Sequence, residues 1–307
     1  MALSKKQAAF ISIVGRANVG KSSLLNKILG QKISIVSPKP QTTRSRIKGI
    51  LTRGDIQFIF IDTPGIHKPM TKLGEFMVNS AQKSIADVDA CLLVVEAVDY
   101  ISEFERNLVK KFKFQNLKAI LAINKIDLVK DKSTLIKQMA SFSDIFNFES
   151  IIPISVKTGE NLNLLIFELT KLASPSEHFF EQDALTDQPE RVLAAEIIRE
   201  KLLNSLNQEV PHGIVVAIEK IKERKFKNEN AVPLLDIDAT IYCERVNHKG
   251  IIIGKCGSML KKIAEFARFD LENFFCCKVN LQIWVKVKEN WRNKESLIKN
   301  FGFNFQN

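Results

Sequence analysis

A glycine-rich segment near the start of the chain places the strongest constraint on the fold. It lies between a strand-like run at residues 9–14 and a helix-like run at 22–29. Its two glycines let the main chain curl so that successive amides point inward around a phosphate, and a lysine and a serine follow, as in known phosphate-binding loops. We therefore predict a strand, a phosphate-binding loop and a helix in that order. The predicted contact residues are Gly15, Arg16, Ala17, Asn18, Val19, Gly20, Lys21, Ser22 and Ser23.

Apolar runs further along the chain predict a mostly parallel sheet. They alternate with helix-like segments, which should cover both faces of the sheet. The second and third runs flank turn residues at 52–55 and predict a hairpin. The strand-like runs span residues 9–14, 47–51, 58–61, 90–95, 119–123 and 151–154. The helix-like segments span 22–29, 102–112, 134–146 and 162–172.

The pattern changes after a polar stretch that contains two prolines. We predict a first domain over residues 1–175, a linker over 176–189 and a second domain over 190–307. The second domain should mix helices and strands, beginning with an amphipathic helix over 191–206. The strands are predicted over 213–221, 234–246, 251–253 and 279–287, and the later helices over 258–275 and 294–301.

Residues that could sense a terminal phosphate lie in two loops after the first helix. Lys21 should reach the β- and γ-phosphates, and the hydroxyl of Ser22 should ligate Mg²⁺. Asp62 follows a strand and should hold the same ion through a water molecule. Thr43, with Thr42 as the alternative, should add a hydroxyl while the γ-phosphate is present. The turn after the strand completes the predicted contacts with Thr63, Pro64, Gly65 and Ile66, of which Gly65 should donate its amide to the γ-phosphate.

Two later motifs predict that the base is guanine. A carboxylate at Asp127 can accept both the N1–H and the exocyclic amine of guanine, whereas adenine would leave that charge unpaired. We expect Asn124 to bracket the base edge, and Lys125 to pack along the ring and brace the phosphate loop. The last motif should offer a main-chain amide to the guanine O6 and a lysine stem to the other face; it consists of Ser155, Val156 and Lys157. These motifs predict a GTP-binding GTPase.

The predicted hydrolysis site lacks a common catalytic side chain. Many GTPases place a glutamine after the Asp-Thr-Pro-Gly turn to orient water, but Ile66 stands here, and His67 is the only nearby candidate base. Asn18 is placed to help a monovalent cation such as K⁺ compensate charge. We expect slow turnover, with catalysis by Lys21, Thr43, Gly65 and Asn18.

A Gly-x-x-Gly sequence in the second domain predicts an RNA clamp. Two glycines around two residues let a nucleic-acid backbone approach main-chain amides and a helix N-terminus, as in KH domains. Residues 245–307 hold 12 Lys and Arg against 5 Asp and Glu, a net charge of +7. Such charge fits an anionic polymer or, equally, a solvated lysine-rich surface. The candidate RNA-binding residues are Gly254, Lys255, Cys256, Gly257, Lys261 and Lys262.

The chain as a whole resembles the bacterial Era GTPases. The likeness is carried by the motifs above and by residues 40–44, 195–202 and 284–291. It implies an α/β P-loop GTPase domain, with a mostly parallel sheet and helices on both faces, followed by an α+β type II KH domain. It also implies binding near the 3′ end of 16S rRNA during maturation of the 30S subunit, with GTP permitting RNA binding and hydrolysis releasing the protein. Assistance by K⁺ and loose contact with the inner membrane are further implications.

Two residues depart from that family's usual pattern. Val156 stands where alanine is common, and we expect its branched side chain to crowd the base. Cys256 stands inside the clamp where a polar or basic residue is commoner, which should reduce the attraction for phosphate.

Other functional classes are weighed against this prediction. The runner-up is a tRNA-modifying or other ribosome-assembly GTPase, and a second alternative is a membrane-surface signalling GTPase whose basic block meets anionic lipid. Asp127 argues against a third alternative, an ATP kinase. No apolar run approaches the length that spans a bilayer, and the odd number of cysteines indicates free thiols. We expect a cytoplasmic monomer, with peripheral membrane contact left open.

Overall fold

The computed structural model describes residues 6–39, 42–44, 46–62, 71–86, 88–206, 213–224 and 233–303, and gives their side chains except those of residues 80–86. The chain divides into two compact units. The first unit comprises Met1–Ser34, Thr43–His67 and Met77–Asp187, and the second comprises Ile35–Thr42, Lys68–Phe76 and Gln188–Asn307. No described helix combines the length and the apolar character needed to cross a membrane.

A seven-stranded sheet forms the centre of the first unit as described. Its strands are β1 (Gln7–Val14), β2 (Ile47–Arg53), β3 (Ile56–Asp62), β4 (Ala90–Glu96), β5 (Lys118–Asn124), β6 (Ser150–Pro153) and the short β7 (Ser174–Pro175). The strand order is β2–β3–β1–β4–β5–β6, and β7 pairs with the start of β1. The hairpin of β2 and β3 is antiparallel, while β3, β1, β4, β5 and β6 are mutually parallel. The predicted mostly parallel sheet is confirmed.

Helices cover both faces of this sheet. They are α1 (Lys21–Leu29), α3 (Glu103–Phe114), α4 (Lys132–Ile145) and α5 (Leu162–Thr170). A further helix, α2 (Lys72–Ala86), has its first residues, as far as Phe76, in the second unit. Strands β4 and β5 are buried along almost their whole length, which requires cover on each side because successive side chains point to opposite faces. Helix α2 is absent from the prediction, which assigned no helix or strand between the runs at 58–61 and 90–95.

The parallel strands place the predicted motifs at one edge of the sheet. Val14, Asp62 and Asn124 end β1, β3 and β5, and the phosphate loop follows Val14 directly. Carboxyl ends of parallel strands meet at the same edge, where open α/β sheets bind their ligands. The motifs, distant in sequence, are therefore neighbours in the first unit.

The stretch predicted as a linker is held against the first unit as far as Asp187. The main-chain amide of Ile50 donates to the carbonyl of Leu185 at 2.9 Å, and the ammonium of Lys48 lies 2.9 Å from the Asp187 carboxylate. The side chain of Gln57 bonds to the main chain of Phe180 in both directions. These contacts correct the prediction of a linker over 176–189, since polar composition alone does not show which strand edge a segment will follow.

The second unit is built on a three-stranded sheet with helices packed against it. Its strands are β8 (Ile214–Arg224), β9 (Leu234–Cys243) and β10 (Lys278–Val287), in the order β10–β9–β8. Strand β9 is antiparallel to β8 and parallel to β10. The helices are α6 (Glu190–Ser205), α7 (Val246–Ile253), α8 (Ser258–Phe275) and α9 (Glu295–Asn300). One apolar core joins α6, α7 and α8 to the strands, as an α+β domain requires.

One predicted strand of the second unit is a helix. Residues 251–253 end α7, in which Ile252 is buried and Ile251 is exposed. A run of three isoleucines fits a buried strand or one turn of a buried helix equally well, and periodicity cannot separate the two. The clamp sequence therefore joins two helices, α7 and α8, rather than a strand and a helix.

The second unit also contains two short segments from the first half of the chain. In the first of them, the amide of Val36 donates to the Glu200 carboxylate at 3.1 Å, and the Arg199 guanidinium donates to the carbonyl of Thr42. Arg199 and Glu200 lie on α6 and are buried. In the second segment, Lys72 forms a 2.8 Å ion pair with Glu295.

Candidate functional site

The phosphate loop requires glycine at both of its ends. Gly15 has φ of +151° and Gly20 has φ of +104°, values that side chains rarely allow. A Cβ atom on Gly15 would lie 2.2 Å from the carbonyl oxygen of Val94, and one on Gly20 would lie 2.4 Å from Nδ2 of Asn124. Neither distance is possible between real atoms, so the loop has this shape only because both residues are glycine.

Lys21 lies beneath the loop and is buried. Its Nζ atom donates to the carbonyl oxygens of Gly15 at 3.0 Å and Arg16 at 2.7 Å. Burial lowers the pKa of the ammonium group to about 8, and the charge of Asp62 opposes that shift. The group is therefore directed at the loop interior, where a bound phosphate would favour its charged form.

The first turn of α1 offers main-chain amides to an anion. Its N-cap residue, Gly20, has a left-handed conformation and makes no side-chain capping bond. The first amides of a helix have no partner within the helix, and they carry the positive end of its dipole. A helix that begins directly after a phosphate loop is therefore suited to bind phosphate oxygens.

The hydroxyls of Ser22 and Thr43 and the carboxylate of Asp62 lie together. Ser22 Oγ donates to Asp62 Oδ2 at 2.7 Å and lies 3.1 Å from Thr43 Oγ1. Small oxygen donors of this kind are the ligands that Mg²⁺ prefers, so the residues fit the ion predicted for them. The hydroxyl of Thr42 instead donates to the carbonyl of Lys39 at 2.6 Å. Of the two threonines, Thr43 is the one beside Ser22.

Two contacts at this site involve residues that the sequence analysis did not single out. Ser34 Oγ donates to Asp62 Oδ2 at 2.8 Å, and both residues are fully buried. Arg16 donates through Nε to the buried carboxylate of Glu105 at 3.0 Å, which joins the phosphate loop to α3. Ser34 is 28 positions from Asp62, and Glu105 is 89 positions from Arg16, so only the structure reveals these two contacts.

Asn124 joins the phosphate loop to the last base-contacting motif. Its Nδ2 donates to the carbonyl of Val19 at 2.8 Å, and its Oδ1 accepts the amide of Val156 at 3.1 Å. The Lys125 ammonium lies 3.0 Å from the carboxylate of Glu96, and the main chain at Lys125 is left-handed. The packing of Lys125 along the base and its bracing of the loop stay predictions.

Asp127 is oriented by its neighbour in the last motif. Ser155 Oγ donates to Asp127 Oδ1 at 2.7 Å and accepts the amide of Thr158 at 3.2 Å. Ser155 is fully buried, whereas Lys157 is exposed. The serine thus holds the carboxylate that is predicted to read the two donors of guanine.

The remaining predicted nucleotide contacts divide into two groups. Asn18 lies at the exposed tip of the phosphate loop with φ of +65°, next to exposed Ala17, and Ser23 follows on α1. The other predicted residues, Thr63, Pro64, Gly65 and Ile66, lie outside the described residues, as does the candidate base His67. Their roles stay predictions.

The clamp sequence forms a tight connection between α7 and α8. Gly254 has φ of +72°, and a Cβ there would lie 2.7 Å from Cβ of Met259 in the first turn of α8. Gly257 has φ of +76° with open space around it, and Cys256 is also left-handed. The side chains of the two residues between the glycines and of the two lysines on α8 are exposed; they are Lys255, Cys256, Lys261 and Lys262.

Comparison with known proteins finds two families, one matching within each half of the chain. Residues 10–125 match the family described as 50S ribosome-binding GTPase, and residues 209–292 match the KH domain family. GTPase Era of Ruminiclostridium cellulolyticum is 47% identical over 297 residues, which cover 97% of each chain. GTPase Era of Clostridioides difficile is 46% identical over 298 residues, or 97% of this chain and 99% of that protein. This chain belongs to the Era GTPase family.

Solved Era structures agree with this assignment. A variant of Aquifex aeolicus Era bound to GDP and AlF₄⁻ is 38% identical, with a TM-score of 0.91 over 97% of this chain and 99% of that one. A structure of Era with MgGDPNP and nucleotides 1506–1542 of 16S ribosomal RNA gives a TM-score of 0.89 at 38% identity, with the same coverage. As an Era GTPase, the chain binds guanine nucleotide and hydrolyses GTP. The P-loop GTPase and KH fold prediction is confirmed.

The geometry shows what the described residues of this Era GTPase contribute to hydrolysis. The buried Lys21 ammonium and the α1 amides supply positive charge where phosphate oxygens gain negative charge. Ser22, Thr43 and Asp62 would hold Mg²⁺, which neutralises phosphate charge when bound. Because Asn124 fixes the loop to the base-reading motif, the phosphates and the base are held by one connected framework.

Proposed function

We propose that this Era GTPase binds the 3′ end region of 16S rRNA through its second unit, assists maturation of the 30S ribosomal subunit, and binds RNA according to its nucleotide state. The observation that carries the proposal is the Gly254–Gly257 connection between two helices, with exposed lysines on the following helix. The solved Era complex with 16S nucleotides supports the choice of RNA.

The clamp geometry suits a nucleic-acid backbone. Around Gly257 there is open space where a side chain would otherwise stand, and α8 begins there without a side-chain cap. A phosphate can thus approach the first amides of α8 closely. Lys255, Lys261 and Lys262 add charge that favours a polyanion and makes binding depend on salt.

The proposed control by nucleotide is supported by the assignment of two consecutive residues to different units. Thr43 lies beside Ser22 in the first unit, whereas Thr42 belongs to the second unit, where its carbonyl accepts a bond from buried Arg199. Val36, in the same segment, is held by Glu200. If Thr43 holds Mg²⁺ only while the γ-phosphate is present, its release after hydrolysis would act on Thr42, the next residue, which is bonded to Arg199 on α6.

We also propose that K⁺ assists hydrolysis. Asn18 stands at the exposed tip of the phosphate loop, the position from which a side-chain oxygen can help bind a monovalent cation near the phosphates. Within the described residues, the phosphate-loop arginine, Arg16, is paired with Glu105 instead of serving as a free charge at the phosphates.

The test is RNA binding by a clamp variant and its matched control. Gly257→Asp places a negative charge in the clamp where there is room for a Cβ, and Gly302→Asp does the same at another left-handed, open glycine of the second unit. We expect Gly257→Asp to weaken binding of a 16S 3′-end transcript by about tenfold or more, with Gly302→Asp near the parent value and GTP hydrolysis unchanged in both.

The nucleotide dependence is measured in the same assay. The parent protein should retain the transcript with a non-hydrolysable GTP analogue and release it with GDP. Equal retention with the analogue, with GDP and without nucleotide would contradict nucleotide control. Flotation with anionic vesicles, combined with failure to bind the transcript, would favour the membrane-surface alternative instead.

A further inference from the structure

We infer that Ser34 is a positioning residue for Mg²⁺, because it holds the Asp62 carboxylate in the direction that the ion requires. Its hydroxyl donates to Asp62 Oδ2 at 2.8 Å, and neither side chain is exposed. The same carboxylate oxygen accepts the hydroxyl of Ser22 at 2.7 Å. Two hydroxyls, that of buried Ser34 and that of partly buried Ser22, thus converge on one oxygen of the carboxylate that is assigned to the ion.

Ser34 is itself fixed to the helix that carries the phosphate-binding residues. Asn26 lies on α1, five residues after Lys21, and its Oδ1 accepts the amides of Ile33 and Ser34 at 2.9 Å each. Its Nδ2 donates to the carbonyl of Ser34 at 2.6 Å. Both main-chain polar groups of Ser34 are therefore bonded to one side chain on α1, so the serine keeps a constant position relative to Ser22.

The hydroxyls of Ser22 and Ser34, which both donate to Asp62, have different roles. Ser22 is the predicted magnesium ligand, so its oxygen must serve both the ion and the carboxylate. Within the described part of the chain, the Ser34 hydroxyl has Asp62 as its acceptor and is not among the predicted ligands. Ser34 can hold the carboxylate in one rotamer whether or not the ion is bound. A hydrogen bond to a charged group is among the stronger ones in proteins.

This role is separable from a general structural one. The contacts that order the chain at Ser34 use its main-chain amide and carbonyl, and Ser34→Ala leaves both unchanged. The variant removes only the donor to Asp62. Ser12→Ala is the matched control, because Ser12 is equally buried in the first unit and its hydroxyl makes no hydrogen bond within the described residues.

The experiment measures release of a fluorescent GDP at Mg²⁺ concentrations from trace to millimolar, and in excess EDTA. For Ser34→Ala we expect the Mg²⁺ concentration that gives half-maximal retention to rise about tenfold, as for the loss of a hydrogen bond to a charged group. Release in EDTA should stay within about twofold of the parent rate, because the nucleotide contacts are intact. Ser12→Ala should match the parent under both conditions.

Other outcomes would overturn the inference. An unchanged Mg²⁺ midpoint in Ser34→Ala would show that Asp62 needs no support from Ser34. An equal rise in release with and without Mg²⁺ would indicate general loosening of the site. If Ser34→Ala does not fold, Ser34→Cys, which keeps a weaker donor of similar size, should give an intermediate midpoint; a midpoint equal to that of the parent would contradict the role.

Discussion

Replacing Asn124 by alanine tests whether one side chain joins the two halves of the nucleotide site. The substitution removes the bond from Nδ2 to the Val19 carbonyl at 2.8 Å and the bond from the Val156 amide to Oδ1 at 3.1 Å. Each lost bond costs about 1 kcal/mol, and a buried group left without a partner adds about 1–3 kcal/mol. Val19 is almost fully buried, so its carbonyl bears that extra cost.

The expected loss of stability is then about 3 kcal/mol for the first unit, or about 6–12 °C in Tm for a unit of this size. The assay is thermal unfolding of the nucleotide-free protein by circular dichroism, with GDP affinity measured in parallel. Affinity should fall at least about tenfold, because the phosphate loop and the base-reading motif lose their shared support. Asn124→Asp keeps the acceptor for Val156 but places a carboxylate against the Val19 carbonyl, and should be no better than alanine.

The matched control is Asn280→Ala in the second unit, which removes a 2.8 Å bond from the Asn280 amide to Asp236 and should leave GDP affinity unchanged. A shift in Tm of less than about 2 °C for Asn124→Ala would refute the reasoning. It would mean that the two loops keep their positions without the side chain between them.

Two further predictions concern the base and the phosphates. Asp127→Asn should weaken GTP relative to xanthosine triphosphate, because the amide supplies a donor where guanine also has one; an unchanged preference in competition binding would remove the base assignment. GDP binding at pH 8.5 should take up about three-quarters of a proton, because the pKa of Lys21 is about 8 in the free protein and phosphate raises it, so the side chain is mostly neutral before binding and charged after it. At pH 7 the ammonium is already charged and uptake should be near zero. Titration calorimetry in buffers of different ionisation enthalpy measures this, and equal uptake at both pH values would contradict the assigned pKa.

Much of the fold could be predicted because its signals are local. Strands β4 and β5 are short, continuous apolar runs bounded by polar residues, and they form where the pattern predicts. Helix α8 begins and ends at the predicted residues, since an amphipathic period of that length admits one interpretation. The strand prediction for the isoleucines at 251–253 was wrong, because a run of three residues is too short to distinguish a helical period from a strand period.

The nucleotide site was predictable in its parts and less so in its connections. Gly15, Gly20 and Lys21 act within one loop, so their spacing in sequence carries their geometry. The prediction placed Asn124 at the base edge, and the structure adds its bond to the Val19 carbonyl, 105 positions away, which no local pattern shows.

The sequence by itself determined the family and predicted which chemical groups meet the nucleotide: a phosphate loop, a magnesium-binding set and a carboxylate for guanine, each read from short motifs. Only the tertiary structure decided which hydroxyl, that of Thr43 or Thr42, lies beside Ser22, and that Ser34 supports Asp62 from 28 positions away. The physical reason is that consecutive residues share a local conformation, whereas contacts between distant residues depend on how strands and helices pack. That packing is fixed by the whole core rather than by any one motif.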